Sequence, residues 1–517
     1  MNRTTLSLIA GVAALAAVTG FATLDAPDTS GADTAKAAAR LPVERTGLVC
    51  PAPSTSDLAE TAYTSFTPVT KGAAAKGTAH LTAATEESTD TTGRTDGKDG
   101  KDGKTDDKAG KSKEKGGKAA AKPVLAPKAP GTPATGTTSG GTTPAYLGTA
   151  EGAYAPGWTL QETTEVAAGT GRGLLGVNCA APDTEFWFPG ASTAADRTDY
   201  VHLTNPDDSA AVVDIELYGP DGALQTTVGE GITVPPHASD PILLSTLTAE
   251  KQDAVTVHVN VRSGRVGAAV QALDDKLGGD WLAPAGDPAG SLVIPGIPKD
   301  AVSVRLVAFA PGNADADLKV QLASSTGLIT PAGHETLHVK GKMSASVDLG
   351  DVTRGEAGSL VLTPTDDAVP VVAAVRVVRG KGDDQESAFI PATADVGTRA
   401  SVADNRAKAA TLSLTAPTGT AQVKVTSSAG SEGGATASQT YTLKPGTTQD
   451  VVPPAPQGLK GTYAITVEHV SGAPVYAART LLSTDKDTPG FTIQTLPDDR
   501  GTVSVPEADE NLDVLQR

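Results

Sequence analysis

Four landmarks recur three times along the 517-residue chain at a pitch of about 105 residues, and a period that long means tandem copies of one domain. A Pro ends an apolar run at Pro206 (YVHLTNP), Pro311 (VRLVAFAP) and Pro417 (TLSLTAP). Period-two runs follow around Ile215, Val320 and Val425, then turn glycines at Gly222, Gly327 and Gly430. Each copy closes on a small doublet, Ala268-Ala269, Ala373-Ala374 and Ala477-Ala478. Alternating runs broken by Gly, Pro and Asp every 8–12 residues are the pattern of a β-sandwich. The expected fold is therefore all-β, with tandem immunoglobulin-like sandwiches at 190–290, 296–390 and 392–490 and a terminal strand and tail at 491–517. The runs AVTVHVNV, SLVLTP and TYAITVEHV, each just before a doublet, read as the first arm of a terminal hairpin. Only 3% of residues are aromatic, so the cores should be small and built from Val, Ala and Leu.

Upstream, residues 46–189 read as an N-terminal β domain interrupted by a disordered low-complexity insert at 86–145. That insert is rich in Gly, Lys, Asp and Thr and nearly lacks apolar residues, so no core can offset its ordering entropy. Before it lie a polar spacer at 25–45 and an uncharged segment from Thr4 to Leu24, preceded by Arg3 and followed by Asp25 and Asp28. That polarity orients a chain for export. Residues 1–24 read as a signal peptide or a membrane-anchoring helix, both fates remaining open, and either one places the remainder outside the cytoplasmic membrane. Cys50 and Cys179 fit that address as one disulfide, worth roughly 4–5 kcal/mol on chain-entropy arithmetic for a loop of this size. A net charge of −18 argues against a nucleic-acid partner, which needs a basic surface.

Few motifs carry chemistry. His334-Glu335-Thr336-Leu337-His338 matches H-E-x-x-H, which would make a zinc protease if it lay on a helix. Its neighbours align with strand–turn–strand segments of the other two copies, and on a strand the two His would stand about 13 Å apart, too far for one metal. Gly171-Arg172-Gly173-Leu174-Leu175-Gly176 fits G-x-G-x-x-G, but without the strand before it and the helix after it that a dinucleotide site requires. Paired acids at Asp207-Asp208, Asp274-Asp275, Asp366-Asp367 and Asp383-Asp384 read as turn residues. Trp158, Trp187 and Trp281 read first as core residues in sheets this poor in aromatics, and in the alternative as candidate glycan-stacking residues. No catalytic residue, cofactor or metal site is expected.

The layout resembles an uncharacterised actinobacterial family of exported, membrane-anchored proteins built from repeated β modules, a domain of unknown function. The N-terminal apolar segment, CPAPSTSD from Cys50, CAAPDTEFWFPG from Cys179 and the LTNP run ending at Pro206 carry the resemblance. It implies a cell-surface location and assigns neither substrate nor catalytic residue. The expected function is a non-catalytic structural or interaction scaffold of the cell envelope, holding an envelope protein or wall polymer. A cell-wall glycan-binding protein is the alternative, and a zinc metalloprotease through His334, Glu335 and His338 the remote one.

Overall fold

The computed structural model describes residues 39–85, 124–484 and 490–505. The expected signal or anchor at 1–24 lies outside them, and among the described residues no helix is long and apolar enough to cross a membrane. The chain divides into a body at Pro42–Thr502 and a small unit from 1–41 and 503–517. A two-stranded pairing of Ala39–Pro42 with Thr502–Val505 replaces part of the expected spacer.

Strands dominate the body because β-branched residues alternate along its runs. In Val255–Ser263 the residues Val255, Val257, Val259 and Val261 are buried while Asn260 faces out, the pleat of a half-buried strand. Helix is confined to one turn, Leu244–Leu247, and a 3-10 turn, among the described residues.

The strand order repeats. In the repeat at 292–391 the strands are Leu292–Ile297, Ala301–Phe309, Ala316–Ala323, Thr336–Val339, Ser344–Asp348, Gly358–Pro364, Val372–Arg379 and Glu386–Pro391, besides the two-residue Leu328–Ile329. The first, sixth, third and fourth form one antiparallel sheet, and the fifth, second, seventh and eighth form another. The repeats at 185–282 and 399–495 follow the same plan, each with its own apolar cluster drawn from both sheets. This pairing is not the immunoglobulin one, where the first strand joins the sheet of the second and fifth. Here it joins the third and sixth.

Three expectations change accordingly. The sixth and seventh strands lie in different sheets, so the runs before the Ala doublets cross between sheets; the terminal hairpin is made by the seventh and eighth strands. Glu185–Ala191 pairs with Val255–Ser263 and so opens the next repeat instead of closing the N-terminal domain. Phe491–Thr495, expected as a separate terminal strand, pairs with Tyr476–Leu482 as an eighth strand.

The N-terminal domain is a fourth copy. Arg45–Cys50 pairs with Tyr146–Gly152, which pairs with Gly77–Ala83; the second sheet runs Ala134–Ser139, Ala59–Phe66, Thr159–Val166, Gly173–Asn178. These are the first, sixth and third strands, then the fifth, second, seventh and eighth. Residues 86–123 fall between the third and fifth. The expected disordered insert therefore ends too late at 145: Leu125 is buried in the core and Ala134–Ser139 bonds to Glu60–Ser65, a Thr-rich strand suited to a sheet edge. Pro68 in TAYTSFTP holds the landmark position of Pro206, Pro311 and Pro417.

The four repeats close into a ring. The eighth strands, Gly173–Asn178, Gly278–Leu282, Glu386–Pro391 and Phe491–Thr495, touch in succession, and the last returns to the first. The first strand of the second, third and fourth repeats lies on the second and seventh strands of the repeat that follows, the fourth thereby meeting the first. The Ala doublets make this possible. Ala268, Ala373 and Ala477 face their own cores, while Ala374 and Ala478 belong to the apolar clusters of the preceding repeats. Gly296 sits so close that an added Cβ would lie 2.7 Å from the Ala478 methyl. Larger side chains would hold the sheets apart.

Candidate functional site

Among the described residues, polar groups that the repeat pattern does not require gather in several places, and two of these are candidate sites. The first is the core of the N-terminal repeat. Cys50 ends its first strand and Cys179 follows its eighth, and they form the expected disulfide between the two sheets across 129 positions. The residue after the doublet position is Val270 in the second repeat and Val375 in the third, both in the core. In the first it is Glu162. Its carboxyl is fully buried, finds no hydrogen-bond partner for either oxygen, and lies with both sulfurs inside a 4.8 Å cluster. Burial alone pushes Glu162 well above the ordinary carboxylate range. Among the described residues, Cys50, Glu162 and Cys179 are the set of potential metal ligands that lies together, and here the sulfurs are bonded to each other. In the fourth repeat the same position carries Arg479, buried, donating to the Asp404 carbonyl at 3.1 Å and to Gln494 at 2.5 Å. Burial brings its guanidinium down to about 10.

The second place is a cleft of about 680 Å³ where three repeats meet. The first contributes Arg172, the second Asp196, Asp253, Asp274, Asp275 and Lys276, and the third Arg305, Arg376, Asp383 and Gln385, among others. Arg172, from the G-x-G-x-x-G run, donates to the carbonyls of Lys276 at 2.9 Å and Asp383 at 3.0 Å. Its segment is the turn leading into the strand Gly173–Asn178, so no helix follows to hold a dinucleotide. Arg305 pairs with Asp253 at 2.7 Å and Arg376 with Asp274 at 2.6 Å. Burial would raise Asp274, but Arg376 and the N–H groups of Leu277 and Lys276 outweigh it and hold its carboxyl below the usual range. Asp275 and Asp383, placed in turns by sequence, border this cleft. Sequence reading missed it because its walls come from three separate repeats.

The tryptophans do not form a glycan platform. Trp158, Trp187 and Trp281 are only 5%, 7% and 2% exposed, because a chain so poor in aromatics spends them on its interior. Trp158 fills the N-terminal core and donates to Ser65 at 2.8 Å. Trp187 stacks on His258 with centroids 3.7 Å apart and packs on Phe309 of the next repeat. Trp281 lies beside His202 among residues of two repeats. His338 is on the strand Thr336–Val339 and His334 in the turn before it. His338 bonds to Asp317 at 2.8 Å, and no helical i, i+4 face is formed.

With that geometry in place, the comparisons with known families add one assignment. Residues 134–454 match the family of unknown function DUF5719. The chain belongs to that family. The match begins at the fifth strand of the first repeat and ends just after the fifth strand of the fourth, so it takes in Glu162, Cys179 and the cleft but not Cys50. No curated protein and no solved structure matches the chain.

Proposed function

We propose that this protein is a non-catalytic scaffold outside the cytoplasmic membrane, four tandem β-sandwiches locked into a ring that holds an envelope protein or wall polymer in the charged cleft. The observation that carries this reading is the cleft itself, whose walls come from three consecutive repeats packed side by side. Arginines and aspartates both line this open space, which suits a polar partner bearing both donors and acceptors. The disulfide supports an oxidising compartment. The acidic overall balance speaks against anionic polymers of nucleic-acid type.

The test is co-sedimentation of the purified chain with protein-stripped bacterial cell walls, with Arg305→Glu as the cleft variant. Saturable pelleting that Arg305→Glu weakens several-fold identifies a wall polymer as the partner. If the protein stays in the supernatant, in-cell crosslinking from positions 275 and 383 should capture an envelope protein. Failure of both removes the reading.

A further inference from the structure

Glu162 breaks the pattern of its own repeat family. Its position is a core valine in the two central repeats, and a carboxyl buried without a partner is destabilising. The other titratable groups facing it are Tyr63 of the second strand and Tyr146 of the sixth, with Cys50 from the first strand and Cys179 beyond the eighth. Burial raises both tyrosines too, Tyr63 well above its ordinary value, so neither supplies a proton acceptor near neutral pH. What lies within 4.8 Å of a Glu162 carboxyl oxygen is the pair of sulfurs.

We propose that Glu162 is the proton donor and acceptor of the Cys50–Cys179 pair, which makes this cross-link a redox couple exchanged with an external dithiol or its disulfide. Cys179 is the more exposed of the two residues, at 6% against 0%, and its sulfur is the one attacked. In the reducing direction a thiolate of the external dithiol bonds to Cys179 Sγ and the Cys50–Cys179 bond breaks. Cys50 leaves with the electron pair and takes the Glu162 proton. The second thiol of the reagent then attacks its own mixed-disulfide sulfur and Cys179 leaves, accepting the proton that thiol has lost. Two electrons have passed from the dithiol, which ends as a disulfide, and water reprotonates Glu162. Oxidation runs the same steps backwards, with the Glu162 carboxylate removing the proton of Cys50 as its sulfur closes the bond. Burial keeps this carboxyl protonated beside the leaving sulfur, which is where a general acid must stand.

The experiment is reduction of the full-length protein by dithiothreitol across pH 6–9, each rate divided by the concentration of reagent thiolate. The wild type should show a normalised rate that falls as pH rises through the Glu162 ionisation. Glu162→Gln keeps the shape but carries no transferable proton; its normalised rate should be flat and, at neutral pH, roughly a hundredfold slower. If the variant changes the rate by one constant factor at every pH, its role is structural and the proposal falls. Should Glu162→Gln fail to fold, the wild type decides alone: a normalised rate that is lower in deuterium oxide at neutral pH supports proton transfer, and equal rates overturn it.

Discussion

Thr492 donates its hydroxyl to Asp280 at 3.0 Å, joining the last strand of the fourth repeat to the last strand of the second across 212 positions of sequence. The same carboxyl accepts the Gly176 N–H of the first repeat at 3.1 Å, and Gln494 donates to the Gly176 carbonyl at 3.0 Å. Asp280 is fully buried; burial drives its carboxyl well above the usual range against the opposing pull of the Gly176 and Thr492 donors. One side chain of the second repeat thus bonds to both the first and the fourth at the hub of the ring.

Because Asp280 is held neutral, Asp280→Asn should be tolerated, within about 1 kcal/mol, whereas Asp280→Leu strands the Gly176 and Thr492 donors and should cost roughly 2–4 kcal/mol. Urea unfolding checks this. Equal costs for the two substitutions would show that shape, and not hydrogen bonding, sets the hub.

His202 is buried between the first and second repeats, and burial pushes its imidazole down to about 4 from 6.5. The unfolded chain binds its proton below pH 6.5 and the folded chain does not, so this residue lowers stability as pH falls from 6.5 to 4. The slope is roughly 1.4 kcal/mol per pH unit, for a total on the order of 3 kcal/mol. Glu162 and Asp280 act oppositely: their folded values are raised, so the stability their protonated forms hold at low pH is lost as pH climbs through the carboxylate range and beyond. The informative quantity is therefore the difference between wild type and His202→Gln. It should shift in favour of the variant by that amount between pH 7 and pH 4, and a pH-independent difference would refute the assignment.

Three turns between fourth and fifth strands place a left-handed residue at the same point, His237 (φ 54°), Lys342 (φ 58°) and Gly446 (φ 68°). Only the last has the residue this conformation favours. Lys342→Gly should stabilise the third repeat by about 0.5–1 kcal/mol, since the Lys342 N–H keeps its bond to the Ala310 carbonyl at 2.8 Å. A lowered melting temperature would contradict it.

Ala478→Leu should cost roughly 1–3 kcal/mol by overpacking, because Gly296 of the preceding repeat lies against that methyl. The damage belongs to the junction of the third and fourth repeats. Limited proteolysis should then cut between Pro391 and Arg399 faster than in the wild type, while unchanged digestion would mean the ring junction absorbs the volume.

Sequence alone determined the class of fold, the three obvious copies and the disulfide, since alternation, turn residues and spacing are local signals that survive without coordinates. It also placed His334 and His338 off a helix, through the alignment of Thr336–Val339 with strands of the other repeats. It did not reveal the fourth copy, because the segment between Gly77–Ala83 and Ala134–Ser139 stretches the spacing and Leu160-Gln161 stands where the others have an Ala doublet. TAYTSFTP ending at Pro68 was the surviving trace. Tertiary structure alone decided which strands share a sheet, since every antiparallel pairing satisfies the same alternation. It also decided that Asp280 and Thr492 meet and that Glu162 faces a disulfide, because those contacts join residues whose separations in sequence no local pattern encodes.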